Sequence, residues 1–134
     1  MDLRLHGRHA LVCGGSDGIG RAAAHELALL GADVTVLARR AATLQEVAAA
    51  LPRADGQHHG FVAADVADQF GLRAKAEALV AGKPVHILVN NTGGPPGGPA
   101  HVADASAYLE AFHRHLLANQ LLVQSVLPGM RTDA

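Results

Sequence analysis

Residues 13–20 read Cys13-Gly14-Gly15-Ser16-Asp17-Gly18-Ile19-Gly20, with four glycines among eight residues. The run before them, His9-Ala10-Leu11-Val12-Cys13, is short and apolar and predicts a strand. The stretch after them is rich in Ala and Leu. It predicts a helix from about Gly18 to Leu30, with Ile19, Ala23, Leu27 and Leu30 on one face. Gly31 follows as the residue that ends it. Ala32-Asp33-Val34-Thr35-Val36-Leu37 is then a second strand. A glycine-rich turn between strand and helix brings backbone N–H groups and the positive end of the helix to one point, where an anion is favoured.

The same alternation continues. Ala41 to Leu51 reads as a helix stopped by Pro52, and Gly60-Phe61-Val62-Ala63-Ala64 as a third strand. Asp68 can cap a third helix that runs to about Ala81 and ends at Gly82. Val85-His86-Ile87-Leu88-Val89 is a fourth strand, followed by the Gly- and Pro-rich loop Asn90-Asn91-Thr92-Gly93-Gly94-Pro95-Pro96-Gly97-Gly98-Pro99-Ala100. Asp104 or Ser106 can cap a last helix carrying Leu109, Phe112, Leu116, Leu122, Val123 and Val126, with its stop at Pro128. Apolar strands separated by helices predict an α/β fold: a Rossmann-type, doubly wound parallel sheet of about four strands, buried on both faces. No domain boundary interrupts residues 1–134, so the chain reads as one unit. In such sheets a ligand sits beyond the carboxyl ends of the strands.

Composition narrows the function. The chain has 134 residues, of which 49% are hydrophobic and 17% charged, enough for a packed core. A formal net charge of -1 gives no electrostatic case for nucleic acid or an anionic membrane, and an aromatic content of 3% argues against base-stacking platforms. One cysteine, no apolar leader and no run long enough to span a bilayer fit a cytoplasmic protein.

The glycine spacing is G-x-x-x-G-x-G rather than G-x-G-x-x-G. A purely structural turn could use the same glycines. The strand before, the helix after and the second strand on schedule favour dinucleotide binding. Gly14 would take the turn, Gly18 would let a pyrophosphate approach the backbone, and Gly20 would let the helix pack on its strand. Strand two ends Leu37-Ala38-Arg39-Arg40, with no carboxylate to hold ribose hydroxyls. Asp33 lies at the opposite end of that strand. Arg39 and Arg40 read either as partners of a 2′-phosphate or as a solvated helix start; the first gives NADP(H) over NAD(H).

Taken together, these motifs make the chain similar to the short-chain dehydrogenase/reductases, the type that includes 3-oxoacyl-acyl-carrier-protein reductases. Gly14-x-x-x-Gly18-Ile19-Gly20 matches the family's cofactor loop, with Cys13 where Thr is usual, and brings Ser16 and Asp17 into the site. Asp65-Val66 matches the adenine-contacting Asp. Asn90-Asn91-Thr92-Gly93 resembles the N-N-A-G motif, with Thr92 replacing Ala, and implies that Asn91, Thr92 and Gly93 lie near the riboses and nicotinamide. Asn119 stands at the place of the family's catalytic Asn, and Leu121 to Met130 resembles the end of that helix.

The resemblance implies hydride transfer between NADP(H) and a small carbonyl or alcohol substrate, with a homo-oligomer in the full-length form. It also implies a Ser and a Tyr-x-x-x-Lys after strand five. The only tyrosine, Tyr108, precedes Asn119 and has Phe112 four residues on, so it reads as a packing residue. Lys75 and Lys83 do not complete the pattern. The chain therefore reads as the cofactor-binding half of such an enzyme, with its fourth strand left as an apolar edge that invites association. A non-catalytic dinucleotide-binding or interaction module, or a remnant, are the other readings. Nine histidines raise the question of metal. His58-His59 and His113-x-His115 lack the spacing and the companions of a site, so they read as structural or solvated, and no metal is expected. Cys13 reads as a small packing residue.

Overall fold

The computed structural model describes residues 1–54 and 56–133. Its centre is β1, His9–Cys13, whose five residues are all buried. Side chains alternate across a strand. Ala10 and Val12 therefore face one layer of helices, and Leu11 and Cys13 face the other. On either side of β1 lie β2, Asp33–Ala38, and β4, Ile87–Val89, and β3, Gly60–Ala63, completes the order β3-β2-β1-β4. All pairings are parallel, with His9 opposite Asp33 and Ala10 opposite Ile87. The first layer holds α1, Gly18–Leu29, and α2, Ala41–Ala50; the second holds α3, Gln69–Gly82, and α5, Ala118–Thr132. The doubly wound sheet read from the alternation is present.

Helix ends follow the local chemistry. In α1 the Gly31 N–H bonds the Ala28 carbonyl at 3.0 Å and the Ala32 N–H bonds that of Leu27 at 3.1 Å. This paired closure needs a left-handed residue, and Gly31 supplies φ +95°. Leu51, forced out of the helical region by Pro52, is extended at ψ 143° and ends α2 one residue early. Asp68 caps α3 by accepting from the Gly71 N–H at 3.0 Å.

Several expectations are corrected. The buried face of α1 is Gly20, Ala24 and Ala28, not the larger stripe. Small residues let the helix lie close on the sheet, while Ile19, in the first turn at the cleft, is 80% exposed. The outer strands are not buried on both faces: β4 is half-buried throughout and Phe61 of β3 is exposed. The ladder of β4 begins at Ile87, two residues later than read, although Val85 is fully buried.

The last helix is not one element. Its first part is α4, Ala105–Phe112, then a π turn over His113–Leu117, then α5. The extra residue in a π turn resets the helical phase. Ala118, Leu121, Leu122 and Val126 are buried, whereas Leu109, Phe112, Leu116 and Val123 are exposed. Pro128 lies inside α5, on an exposed position, and does not end it. Tyr108 is exposed rather than packed, and its hydroxyl donates to the Ala100 carbonyl at 2.8 Å, tying α4 to a 3-10 turn over Ala100–Val102. No helix among the described residues is long and apolar enough to cross a membrane.

Candidate functional site

The carboxyl ends of the four parallel strands open into one cleft of about 580 Å3. The loop between β1 and α1 forms one wall. Gly14 has φ +61°, and a Cβ there would collide with the Asn91 carbonyl oxygen, so this position excludes every side chain. A Cβ on Gly20 would strike the Gly14 carbonyl and lie 2.8 Å from Asn91 Nδ2. Gly20 thus makes room for the loop itself rather than for the strand. Asn91 Nδ2 in turn donates to the Cys13 carbonyl at 3.4 Å. The first glycine motif and the loop after β4 therefore interlock, by close approach of the Asn91 carbonyl to Gly14 and by the Asn91 side-chain bond to Cys13.

The rest of the loop is held from both sides. The Gly15 N–H reaches the Leu37 carbonyl of β2 at 3.3 Å. Asp17 caps α1, its Oδ1 accepting from the Gly18 N–H at 2.8 Å. Gly18, at φ +52°, has open space where a Cβ would stand. After β3, Asp65 Oδ1 accepts from the Ala67 N–H at 2.9 Å, which fixes the turn into α3.

Of the residues the sequence singled out, Gly14, Ser16, Asp17, Gly18, Ile19, Arg39, Asp65, Val66, Asn91, Thr92 and Gly93 all line this cleft. Gly20 supports it from beneath. Arg40 and Asn119 are not in its lining. Arg40 precedes α2 and makes no side-chain cap. Asn119 stands in the first turn of α5, its Oδ1 buried with no hydrogen-bond partner. No carboxylate from the end of β2 enters the cleft, and Arg39 does.

Two residues of the π turn meet the site: Arg114, which sequence reasoning missed, and His115, which was read as structural or solvated. Arg114 lines the cleft, and its Nη2 pairs with Glu110 Oε1 at 2.9 Å. His115 Nδ1 lies 2.6 Å from Thr92 Oγ1. The available signal was Thr92 itself: a hydroxyl where the motif carries Ala needs a partner. The helical break that presents the partner has no marker in the sequence.

The remaining candidates serve the scaffold. Cys13 is fully buried, and burial pushes its thiol up to about 12, so no thiolate forms near neutral pH. Lys75 Nζ donates to the Ala63 carbonyl, and Lys83 pairs with Asp33 at the amino ends of the strands. The His9 ring bridges the Pro84 carbonyl and Thr35 Oγ1 at 3.0 and 2.8 Å.

Comparison with known proteins agrees with this geometry. A family model described as short chain dehydrogenase matches residues 8–134. D-threitol dehydrogenase of Mycolicibacterium smegmatis is 35% identical over 94% of this chain and 48% of its own length. The inactive hydroxysteroid dehydrogenase-like protein 1 of Pongo abelii is 32% identical over 96% of this chain and 39% of its own. The chain thus spans less than half the length of these curated relatives. The crystal structure of L-sorbose reductase from Gluconobacter frateurii, complexed with NADPH and L-sorbose, superposes with a TM-score of 0.90 at 31% identity. That match covers 99% of this chain and 51% of the other. With the glycine loop, the strand order and the family model in agreement over nearly its whole length, this chain belongs to the short chain dehydrogenase family.

Proposed function

We propose that the cleft binds NADP(H) and that residues 1–134 are the cofactor-binding half of an oxidoreductase acting on a small carbonyl or alcohol. The single observation that carries this is the pairing of the interlocked Gly14–Asn91 loop with Arg39, and no acid, at the end of β2. The chain's residues fit the dinucleotide: Gly14 leaves no volume for a side chain between the two loops, and Gly18 leaves open space at the start of α1. In this reading the Gly14–Gly20 loop faces the pyrophosphate, with Ser16, Asp17 and Ile19 at its rim. Arg39 takes the 2′-phosphate, with Arg40 behind it. Asp65 and Val66 face the adenine, and Asn91, Thr92 and Gly93 the riboses and nicotinamide. Asn119 offers its buried Oδ1 to a water. Bound nicotinamide dinucleotide supplies or accepts the hydride. The protein is cytoplasmic in this reading, and its full-length form is a homo-oligomer.

A second reading, a dinucleotide-binding module without turnover, is favoured for the 134-residue chain by the engagement of its only Tyr and Lys residues. Tyr108 bonds the Ala100 carbonyl, Lys75 the Ala63 carbonyl at the end of β3, and Lys83 pairs with Asp33 at the amino ends of the strands. Titration with NADPH and NADH tests the shared premise. The wild-type chain is expected to prefer NADPH, and Arg39→Ala to lose about tenfold in NADPH affinity with NADH unchanged, as for one charge-assisted phosphate contact. Equal affinity of Arg39→Ala and wild type for NADPH would sink the assignment. Turnover of a carbonyl panel with NADPH separates the two readings.

A further inference from the structure

The cleft's charges do not balance in favour of a polyanion. Its lining carries two carboxylates, Asp17 and Asp65, against two guanidiniums, Arg39 and Arg114. Arg39 lies at the end of β2, where it serves only one end of an extended ligand. The loop that would face the pyrophosphate has Asp17 beside it. Beyond Arg39, the cation that the cleft's lining holds among the described residues is Arg114 of the π turn, which adds to the backbone N–H groups at the start of α1.

We propose that Arg114 is a dinucleotide-binding residue that draws in the ligand's phosphates by charge, and that Glu110 attenuates it; this rests on the cofactor reading above. The geometry supports each part. His115 fastens the π turn to the loop after β4 through Thr92, which sets the neighbouring Arg114 at the cleft. Arg114 Nε is buried with no partner, and of the guanidinium only Nη2 is engaged, by a single contact with Glu110. Glu110 is itself 61% exposed, so water competes for that pair. A guanidinium keeps its charge at every working pH and can serve two acceptors at once. Glu110 therefore lowers the field that Arg114 projects into the cleft without removing it.

The test uses the whole chain with NADPH and NADH as probes, read by binding titration at low and high salt. Arg114→Gln is expected to weaken both dinucleotides about tenfold, by the loss of one charge-assisted contact. Arg114→Lys is expected to recover most of that loss. Glu110→Gln is expected to tighten both about threefold, and all three effects shrink as salt screens them. The opposite signs for Arg114→Gln and Glu110→Gln separate a ligand-directed charge from a merely structural ion pair, whose loss would weaken binding from either side. Glu110→Gln is a surface change and keeps the test valid if Arg114→Gln misfolds. Dinucleotide affinity within twofold of wild type in Arg114→Gln overturns the proposal, as does weakening in Glu110→Gln or an Arg114→Lys variant as poor as Arg114→Gln. Wild type that binds neither dinucleotide is a different result: it sinks the cofactor reading itself.

Discussion

At the scale of single residues, the site depends on where side chains are missing. Gly14 has both a left-handed backbone and a neighbour, the Asn91 carbonyl, in the space a Cβ would fill. Gly14→Ala must therefore either bend the loop or displace the segment after β4. A left-handed non-glycine residue costs about 1–2 kcal/mol, and the clash adds to it. The expected outcome is a loss of at least ~1.5 kcal/mol in urea denaturation together with loss of NADPH binding. A Gly14→Ala protein with wild-type midpoint and affinity would contradict the interlock. This much of the site was legible, because the glycine pattern states where the backbone must pass. Ile19 was legible through that motif but not through its spacing: an apolar residue at helical spacing reads as core, yet Ile19 is exposed where the first turn of α1 faces the cleft. Arg114, and the partnership of His115 with Thr92, were hidden for the complementary reason, since these positions depend on a π turn that no residue type announces.

At the scale of elements, the boundaries that carried a chemical signal were readable and the others were not. Gly31, Pro52 and Asp68 each act through the local backbone, so α1, α2 and α3 end or begin within a residue of where those signals place them. The last helix misled because its apolar residues follow helical spacing through a segment where the phase shifts, so Leu109, Phe112, Leu116 and Val123 end up exposed. Pro128 misled in the other direction: a missing N–H is tolerated on an exposed helix face. The cap of α3 gives a direct check on this kind of reasoning. Asp68 is exposed, and its carboxylate accepts one of the helix's unpaired N–H groups from Gly71. Asp68→Ala is expected to lower stability by about 1 kcal/mol, and Asp68→Asn by much less, because the amide oxygen can still accept. Thermal melts of the two variants decide it, and equal loss in both would mean that the charge, not the cap, is what counts.

At the scale of the whole molecule, the two ends of the sheet are built for different tasks. The carboxyl end is open and lined by glycines and arginines. At the amino end, imidazoles tie the strands to the loops around them. His59 Nδ1 accepts from the Val34 N–H at 3.1 Å, while its Nε2 donates to the Pro52 carbonyl at 2.7 Å. His86 Nδ1 accepts from the His9 N–H at 2.9 Å, and its Nε2 lies 2.7 Å from Asp133 Oδ2. A ring nitrogen that accepts a backbone N–H cannot also carry a proton, so these contacts hold only while the rings are neutral. Burial is the largest influence on His9 and His59 and holds both below the ordinary histidine value, outweighing the raising effect of the carbonyls of Pro84 and Pro52. In the unfolded chain the same rings take up protons near about pH 6.5. Below that pH the unfolded state binds more protons than the folded one, so stability, complete above it, falls as pH drops toward the depressed folded values. Urea midpoints are therefore expected to decline from pH 7.5 to 5.5. Burial raises the Asp33 carboxyl, but Lys83 and the His58 N–H outweigh it and hold it below the usual carboxylate range. Asp33 therefore contributes its full share throughout that window, adds no slope there, and only begins to lose that share near pH 4. His59→Asn isolates the imidazole. Its side-chain oxygen can replace Nδ1 as acceptor for Val34 but takes up no proton, so its midpoint should fall less steeply over the same range. A variant with the wild-type slope would mean that His59 does not contribute to the acid sensitivity, and would leave His9 as the ring that couples the amino end of the sheet to pH.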